Sequence, residues 1–247
     1  MLKSILTLAV TCTLFINAAA QGLNYYDATK YPLLGKPIED SASERYFMRL
    51  PDSIQGQIER PYLYTLGTNT AGMAIRFRTA SPVVGAKWTS TFKTLMNHQT
   101  LVGSRGLDLY TLDEDGKTWT FVNSARPNPG ENTTDAVIIN YMEPKMREYM
   151  LYLSLYDGID SIYISTAQGY PVEQPMVDLP KREKPIVFYG SSILQGGCAN
   201  RPGMAHTNIL GRWLNRETYN FGFSGMGQLD LPVARVIASI PDPGMIV

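Results

Sequence analysis

The chain has 247 residues, with 22 Lys plus Arg against 22 Asp plus Glu, so its formal net charge is zero. That balance argues against nucleic acid or an anionic membrane surface as the main partner, because both demand a surplus of basic side chains. A composition of 44% hydrophobic and 18% charged residues is that of a globular chain, and 15 Tyr, 21 Gly and 16 Pro favour β-rich, turn-rich structure.

Residues 1–20 read as a secretory signal peptide. Lys3 gives a positive start, Ser4 to Ile16 is apolar, and Ala18, Ala19 and Ala20 place small side chains before Gln21. The expectation is cleavage after Ala20 and a secreted or periplasmic protein with no integral membrane segment left. Cys198 is then the sole cysteine, so no internal disulfide is expected, although the compartment would permit one.

From Gln21 to about residue 60 the chain reads as an irregular strap. Residues 62–165 then follow a β pattern with no helical stretch. Ala74 to Arg78 alternates apolar and charged residues, and Val83 to Thr89 follows Pro82. Leu107 to Leu112 and Trp119 to Val122 form a hairpin around Asp115-Gly116. Ala136 to Asn140, Tyr149 to Tyr156 and Ser161 to Ser165 add strands, with Asp157-Gly158 as a turn. Short strands separated by turns predict an antiparallel β-sandwich.

The pattern changes after Pro171. Leu179 to Pro185 reads as a charged, proline-bounded linker. Ile186 to Tyr189 is a fully apolar strand of the parallel-sheet kind. A loop over 190–203, a helix over 207–216, a strand at Thr218 to Phe221 and a helix over 231–240 follow. Met245 to Val247 begins another strand. This is the opening of an α/β domain.

Two stretches could carry chemistry. Gly190-Ser191-Ser192-Ile193 sits at the C-terminal end of the first parallel strand, where open α/β sheets place ligands. A serine there has an exposed hydroxyl beside free backbone N–H groups, which suits acyl transfer; the other reading is a polar turn with no chemistry. Asn220 to Gly227 follows the next parallel strand, and Gly225 could turn its N–H towards the same pocket. The glycines run G-x-x-G-x-G, which is not the dinucleotide fingerprint, and no phosphate-loop lysine follows.

Together these stretches resemble the SGNH/GDSL hydrolase superfamily. Ser192 matches the family nucleophile, and Gly225 matches the oxyanion-hole glycine. Gly106-Leu107-Asp108-Leu109-Tyr110 resembles the G-x-D-L-Y signature of a β domain that precedes a subgroup of these hydrolases. Behind the signal peptide over 1–20, the resemblance implies a jelly-roll-like β-sandwich over 21–178 and, over 185–247, the start of a three-layer, flavodoxin-like α/β hydrolase domain. It implies a secreted serine esterase acting on an acyl ester, with acetyl on a carbohydrate as the expected case. No metal or organic cofactor is implied. Ser191 stands where the family has Asp. No position matches the family's third-block Asn or its D-x-x-H acid and base, so the chain reads as an N-terminal fragment that is inactive by itself. The alternative is a carbohydrate-binding sandwich with a vestigial hydrolase segment.

Other residues weigh less. Asn97 and His98, in a polar loop, are candidates for substrate contact across the domain seam; the other reading of His98 is a surface histidine. His206 reads as a surface or capping residue, and Cys198 as a partly buried small residue. Asp108 reads as an acceptor for backbone donors. Two His and one remaining Cys do not make a zinc site, and Asp113 to Gly116 lacks the positions of a calcium loop. The partner implied is a small-molecule or glycan ester, and the sequence leaves the oligomeric state open.

Overall fold

The structure, a computed structural model, describes residues 22–38 and 45–247. The signal-peptide reading of residues 1–20 lies outside the described residues.

Nine antiparallel strands form two sheets. One has four strands: β1 (Leu23–Asp27), β4 (Val84–Ser90), β7 (Thr133–Ile139) and β9 (Ile159–Ala167), in the order β1-β9-β4-β7. The other has five: β2 (Leu33–Leu34), β3 (Ala74–Thr79), β5 (Leu107–Leu112), β6 (Trp119–Ala125) and β8 (Arg147–Tyr152), in the order β2-β3-β8-β5-β6. The expected hairpin is present, with Leu112 opposite Trp119. Asp157-Gly158 does not join two paired strands. It carries the chain from β8 in one sheet to β9 in the other.

Both sheets feed one hydrophobic cluster. Ile75, Phe77, Leu109, Tyr149 and Leu151 come from one sheet, and Val84, Trp88, Ile162 and Ile164 from the other. Strand β8 shows why a two-residue period matters. Tyr149 and Leu151 enter this cluster, whereas Met150 and Tyr152 point to the opposite face and join Leu34, Ala74 and Tyr110. The five-stranded sheet is thus buried on both faces, so β8 reads as a nearly continuous apolar run.

Beyond these sheets the chain forms a parallel sheet of β11 (Arg216–Gly222), β10 (Lys181–Gly190) and β12 (Met245–Ile246), with β10 in the centre. Residues 181–184, expected as linker, extend this strand instead. Helices α4 (His206–Leu214) and α5 (Leu231–Ala238) follow, close to the expected ranges.

The region read as purely β contains two helices, α1 (Pro61–Gly67) and α2 (Leu101–Arg105), and a 3₁₀ turn at Asp52–Gln57 precedes α1. Pro61 begins α1, where its missing N–H costs nothing, and Thr100 caps α2 by accepting the Gly103 N–H. These turns are too short for a helical period to stand out against neighbouring strands. Their packing is also not that of a surface strap. Leu50, Ile54, Leu63 and Leu66 are buried with Val187, Phe221, Phe223, Val233 and Val236, so an early segment completes the core of the parallel sheet.

Candidate active site

Strands β10 and β11 run parallel with Gly190 opposite Gly222, so their following loops emerge at the same end. After Gly190 comes Ser191, exposed, and then a single helical turn, α3 (Ser192–Gln195), whose Ser192 is half-buried. The sequence predicted a plain loop here. A methyl group on Gly222 would collide with the Gln195 backbone, so only glycine lets the two loops pack this closely. The Phe223 N–H donates to Gly190 O at 3.0 Å, which fastens the second loop to the end of the first strand.

Ser192 is held through its carbonyl, which accepts the Tyr156 hydroxyl at 2.8 Å and the Gly197 N–H at 2.7 Å. Its hydroxyl and its own N–H have no partner among the described residues, and neither has the Gly225 N–H. Gly225 sits at φ +69°, with open space where a side chain would be. The structure therefore brings the Ser192 turn and the Gly225 turn together with unspent donors.

Three buried side chains fix these turns. Asn220 donates from Nδ2 to Leu194 O at 2.8 Å and accepts the Gly222 N–H at 2.9 Å. The Gln195 side chain accepts the Ser224 N–H at 2.9 Å and donates to Asn69 Oδ1 at 3.0 Å and Leu155 O at 3.1 Å. Arg49, 1% exposed, donates to Asn69 O, Leu66 O, Asn220 O and Gly222 O at 2.5–2.9 Å, and its guanidinium lies 5.0 Å from the Phe223 ring centre. Burial lowers its pKa, but its carbonyl acceptors engage four of the five protons of the fork, which favours the charged form.

Arg49 and Gln195 were not among the sequence candidates. Arg49 lies in the stretch read as a strap, and no local pattern marks a residue whose partners lie 171 positions away. Gln195 lies two residues past the Gly190–Ile193 stretch, but its glutamine carries no catalytic signature.

The other candidates are placed as follows. Asn97 and His98 are exposed and bonded to each other at 2.9 Å. Their loop rests on the segment after Ser192, because Gln99 Oε1 accepts the Cys198 N–H at 3.4 Å and Thr100 Oγ1 donates to Asn200 O at 2.5 Å. His206 opens α4, exposed, with its ring edge-on to Phe188 at 6.2 Å, and desolvation lowers its pKa. Neither histidine bonds to Ser192. Cys198 is exposed rather than partly buried, at φ 63° on the loop that Gln99 supports.

The G-x-D-L-Y stretch contacts the segment after Ser192. Asp108, fully buried, accepts the Ser124 hydroxyl at 2.7 Å and the Gly203 N–H at 2.8 Å, with Arg201 Nε 3.3 Å away. Burial raises its carboxyl pKa, while those three partners pull the other way. The Tyr110 ring lies so close beneath Gly203 that any side chain there would strike it, and the Arg212 guanidinium sits 4.3 Å from its centre. Asp108 thus satisfies a backbone donor, as expected, but one 95 positions away in the sequence.

Residues 23–172 match the GxDLY family, the N-terminal region of SGNH-hydrolase-type esterases, and residues 183–244 match the GDSL-like lipase/acylhydrolase family. A crystal structure described as a GDSL-like lipase from Bacteroides ovatus is 35% identical, with a TM-score of 0.81, over 91% of this chain and 64% of that one. The salicylyl-acyltransferase SsfX3 from a tetracycline biosynthetic pathway shares the fold at 16% identity, with a TM-score of 0.66, over 92% of this chain and 61% of that one. A search of curated proteins found no match. The chain therefore spans less than two thirds of either solved structure. With a GxDLY region followed by a GDSL-like segment, the chain belongs to the SGNH/GDSL-type esterase family.

Proposed function

We propose that this chain carries the nucleophile and oxyanion donors of a secreted serine esterase. Ser192 attacks the ester carbonyl, and the N–H groups of Ser192 and Gly225 receive the charge that develops on its oxygen. The observation that supports this reading is the close packing of Gly222 on Gln195, which holds the Ser192 turn against the Gly225 turn while the Ser192 hydroxyl and both N–H groups stay unpaired among the described residues. Neither His98 nor His206 bonds to Ser192, so the proposal gives neither of them the role of base. The chain covers less than two thirds of the solved structures it resembles, and the base and its acid partner are proposed to lie on a further part of a longer protein, without which these residues are proposed to be inactive.

The ester proposed is a small acyl group, acetyl in the first instance, on a carbohydrate. Asn97 and His98 are proposed to touch that carbohydrate from their loop. Export is part of the proposal and rests on the composition of residues 1–20; N-terminal sequencing of the exported protein should begin at Gln21. Among the described residues no helix is long and apolar enough to cross a membrane. The division at 21–178 and 185–247, with sandwich and flavodoxin-like layering, is proposed on the same footing.

The test is a screen of the full-length protein on acetylated oligosaccharides and on short and long acyl esters, with Ser192→Ala as control. Release of acetate that depends on Ser192 supports the esterase. Tight binding of oligosaccharide without any hydrolysis would favour the carbohydrate-binding alternative.

A further inference from the structure

The Gly225 turn lies on a loop, and a loop N–H serves an oxyanion only if the loop is held to a fraction of an ångström. The donor that precedes Gly225 in the chain is the Ser224 N–H. It is spent on Gln195 Oε1 at 2.9 Å. The other end of the same amide donates to Leu155 O at 3.1 Å and Asn69 Oδ1 at 3.0 Å. Gln195 is fully buried and lies on the turn that begins with Ser192.

The amide cannot work reversed. Turned over, Nε2 would face the Ser224 N–H, and Oε1 would face two oxygens. Its orientation is therefore dictated by partners on three separate segments: the second loop, the residues after β8 and the residues after α1. Leu155 also precedes Tyr156, whose hydroxyl binds the Ser192 carbonyl at 2.8 Å. One end of the β-rich region thus grips both the nucleophile turn, through Tyr156, and the oxyanion turn, through Gln195.

We propose that Gln195 is a positioning residue that locks the Gly225 oxyanion turn to the Ser192 turn and makes the β-rich N-terminal region a working part of the catalytic site. The proposal rests on the esterase reading above. Gln195 does not touch the ester. Its effect is expected on the transition state, where the oxyanion exists, and not on the binding of the ground-state ester.

The experiment uses the full-length protein and p-nitrophenyl acetate. Gln195→Met keeps the volume but removes the acceptor for Ser224. It is expected to lower kcat by about 10–100-fold with KM within about twofold. Gln195→Glu gives a second readout through pH. Its ionised carboxylate would face Leu155 O and Asn69 Oδ1, whereas its protonated form donates one hydrogen bond there and still accepts from Ser224. The ratio of its kcat to that of the wild type is expected to climb as the pH falls from about 8 to about 6, a rise that a merely structural lesion would not give. Ser192→Ala separates the two readings. If that variant keeps activity, the esterase site itself is misassigned. If it is inactive while Gln195→Met keeps its kcat, or Gln195→Glu shows a flat ratio near one, the role of Gln195 is overturned and the esterase reading stands.

Discussion

The Asp108 carboxylate accepts the backbone N–H of Gly203 at 2.8 Å, joining residues 95 positions apart in sequence. The carboxylate belongs to the antiparallel region and the N–H to the loop after Ser192. This gives the G-x-D-L-Y stretch a physical meaning. Its Asp receives a loop donor, its Tyr forms the floor under a glycine of that loop, and its Gly permits close approach to Val102 and Ala125.

The Asp108 bond has a pH signature. Burial holds this carboxyl above its ordinary 3.8 in the folded protein. The folded state therefore binds the proton before the unfolded state does, and acidification through that interval favours folding. Asp108→Asn has no such proton to bind. The stability of the wild type relative to Asp108→Asn is expected to rise as the pH falls from neutrality towards 3.8. Urea titrations at constant ionic strength measure it; the opposite trend would show that pairing with Arg201 outweighs desolvation.

Arg49 should behave as a structural fork. Its donors serve four carbonyl oxygens from both the early segment and β11. Arg49→Met leaves those acceptors buried and unpaired, at a cost of about 3–5 kcal/mol. A lysine has one compact head where the guanidinium has a planar fork, so Arg49→Lys is expected to recover less than half of the loss. Denaturant midpoints of the two variants decide this, and near-wild-type stability of Arg49→Lys would contradict it.

Two glycines three residues apart should respond differently to alanine. At Gly222 the new methyl meets the Gln195 backbone, which has no room to move, and about 3 kcal/mol or more is the expected loss. At Gly225 the methyl meets nothing, and the cost is that of a left-handed backbone conformation, about 1–2 kcal/mol. Thermal melts of both variants give the ordering; a reversed order would place the tight contact elsewhere.

The register of the motif is testable at two adjacent serines. Ser191→Ala should leave kcat of the full-length protein within about threefold, while Ser192→Ala should lower it by about three orders of magnitude. A serine-directed phosphonate should label Ser192 in the wild type. Labelling of Ser191 instead would shift the assignment by one residue.

The strands were legible where apolar and polar residues alternate, because the two-residue period is then written in the sequence even where both faces are buried. Ala74 to Arg78 and Leu107 to Leu112 are examples. The short helices at Pro61–Gly67 and Leu101–Arg105 were not legible, since one or two turns leave too few positions for a 3.6-residue period. The strand from Lys181 was masked by charges and by Pro185, which look like a linker until the pairing of Lys181 with Arg216 is seen. In the site, Ser192 and Gly225 stood out because glycine and serine at strand ends are a local signal. Arg49 did not, because nothing near it in the sequence names its partners. Cys198 is exposed on a loop that Gln99 supports from elsewhere in the chain, a partner its local sequence does not name.

The burial of Leu50, Ile54, Leu63 and Leu66 against Val233 and Val236 sets a timetable for folding. On a ribosome adding about 5–20 residues per second, Arg49 and its neighbours wait roughly 10–35 seconds for partners such as Asn220, 171 positions later. During that interval they present bare apolar side chains next to strands that are already able to pair. A chaperone that holds this segment would raise the yield more than one acting on the β strands, whose partners are synthesised sooner. Circular permutants that shorten the distance between the two should fold faster without a change in the finished structure.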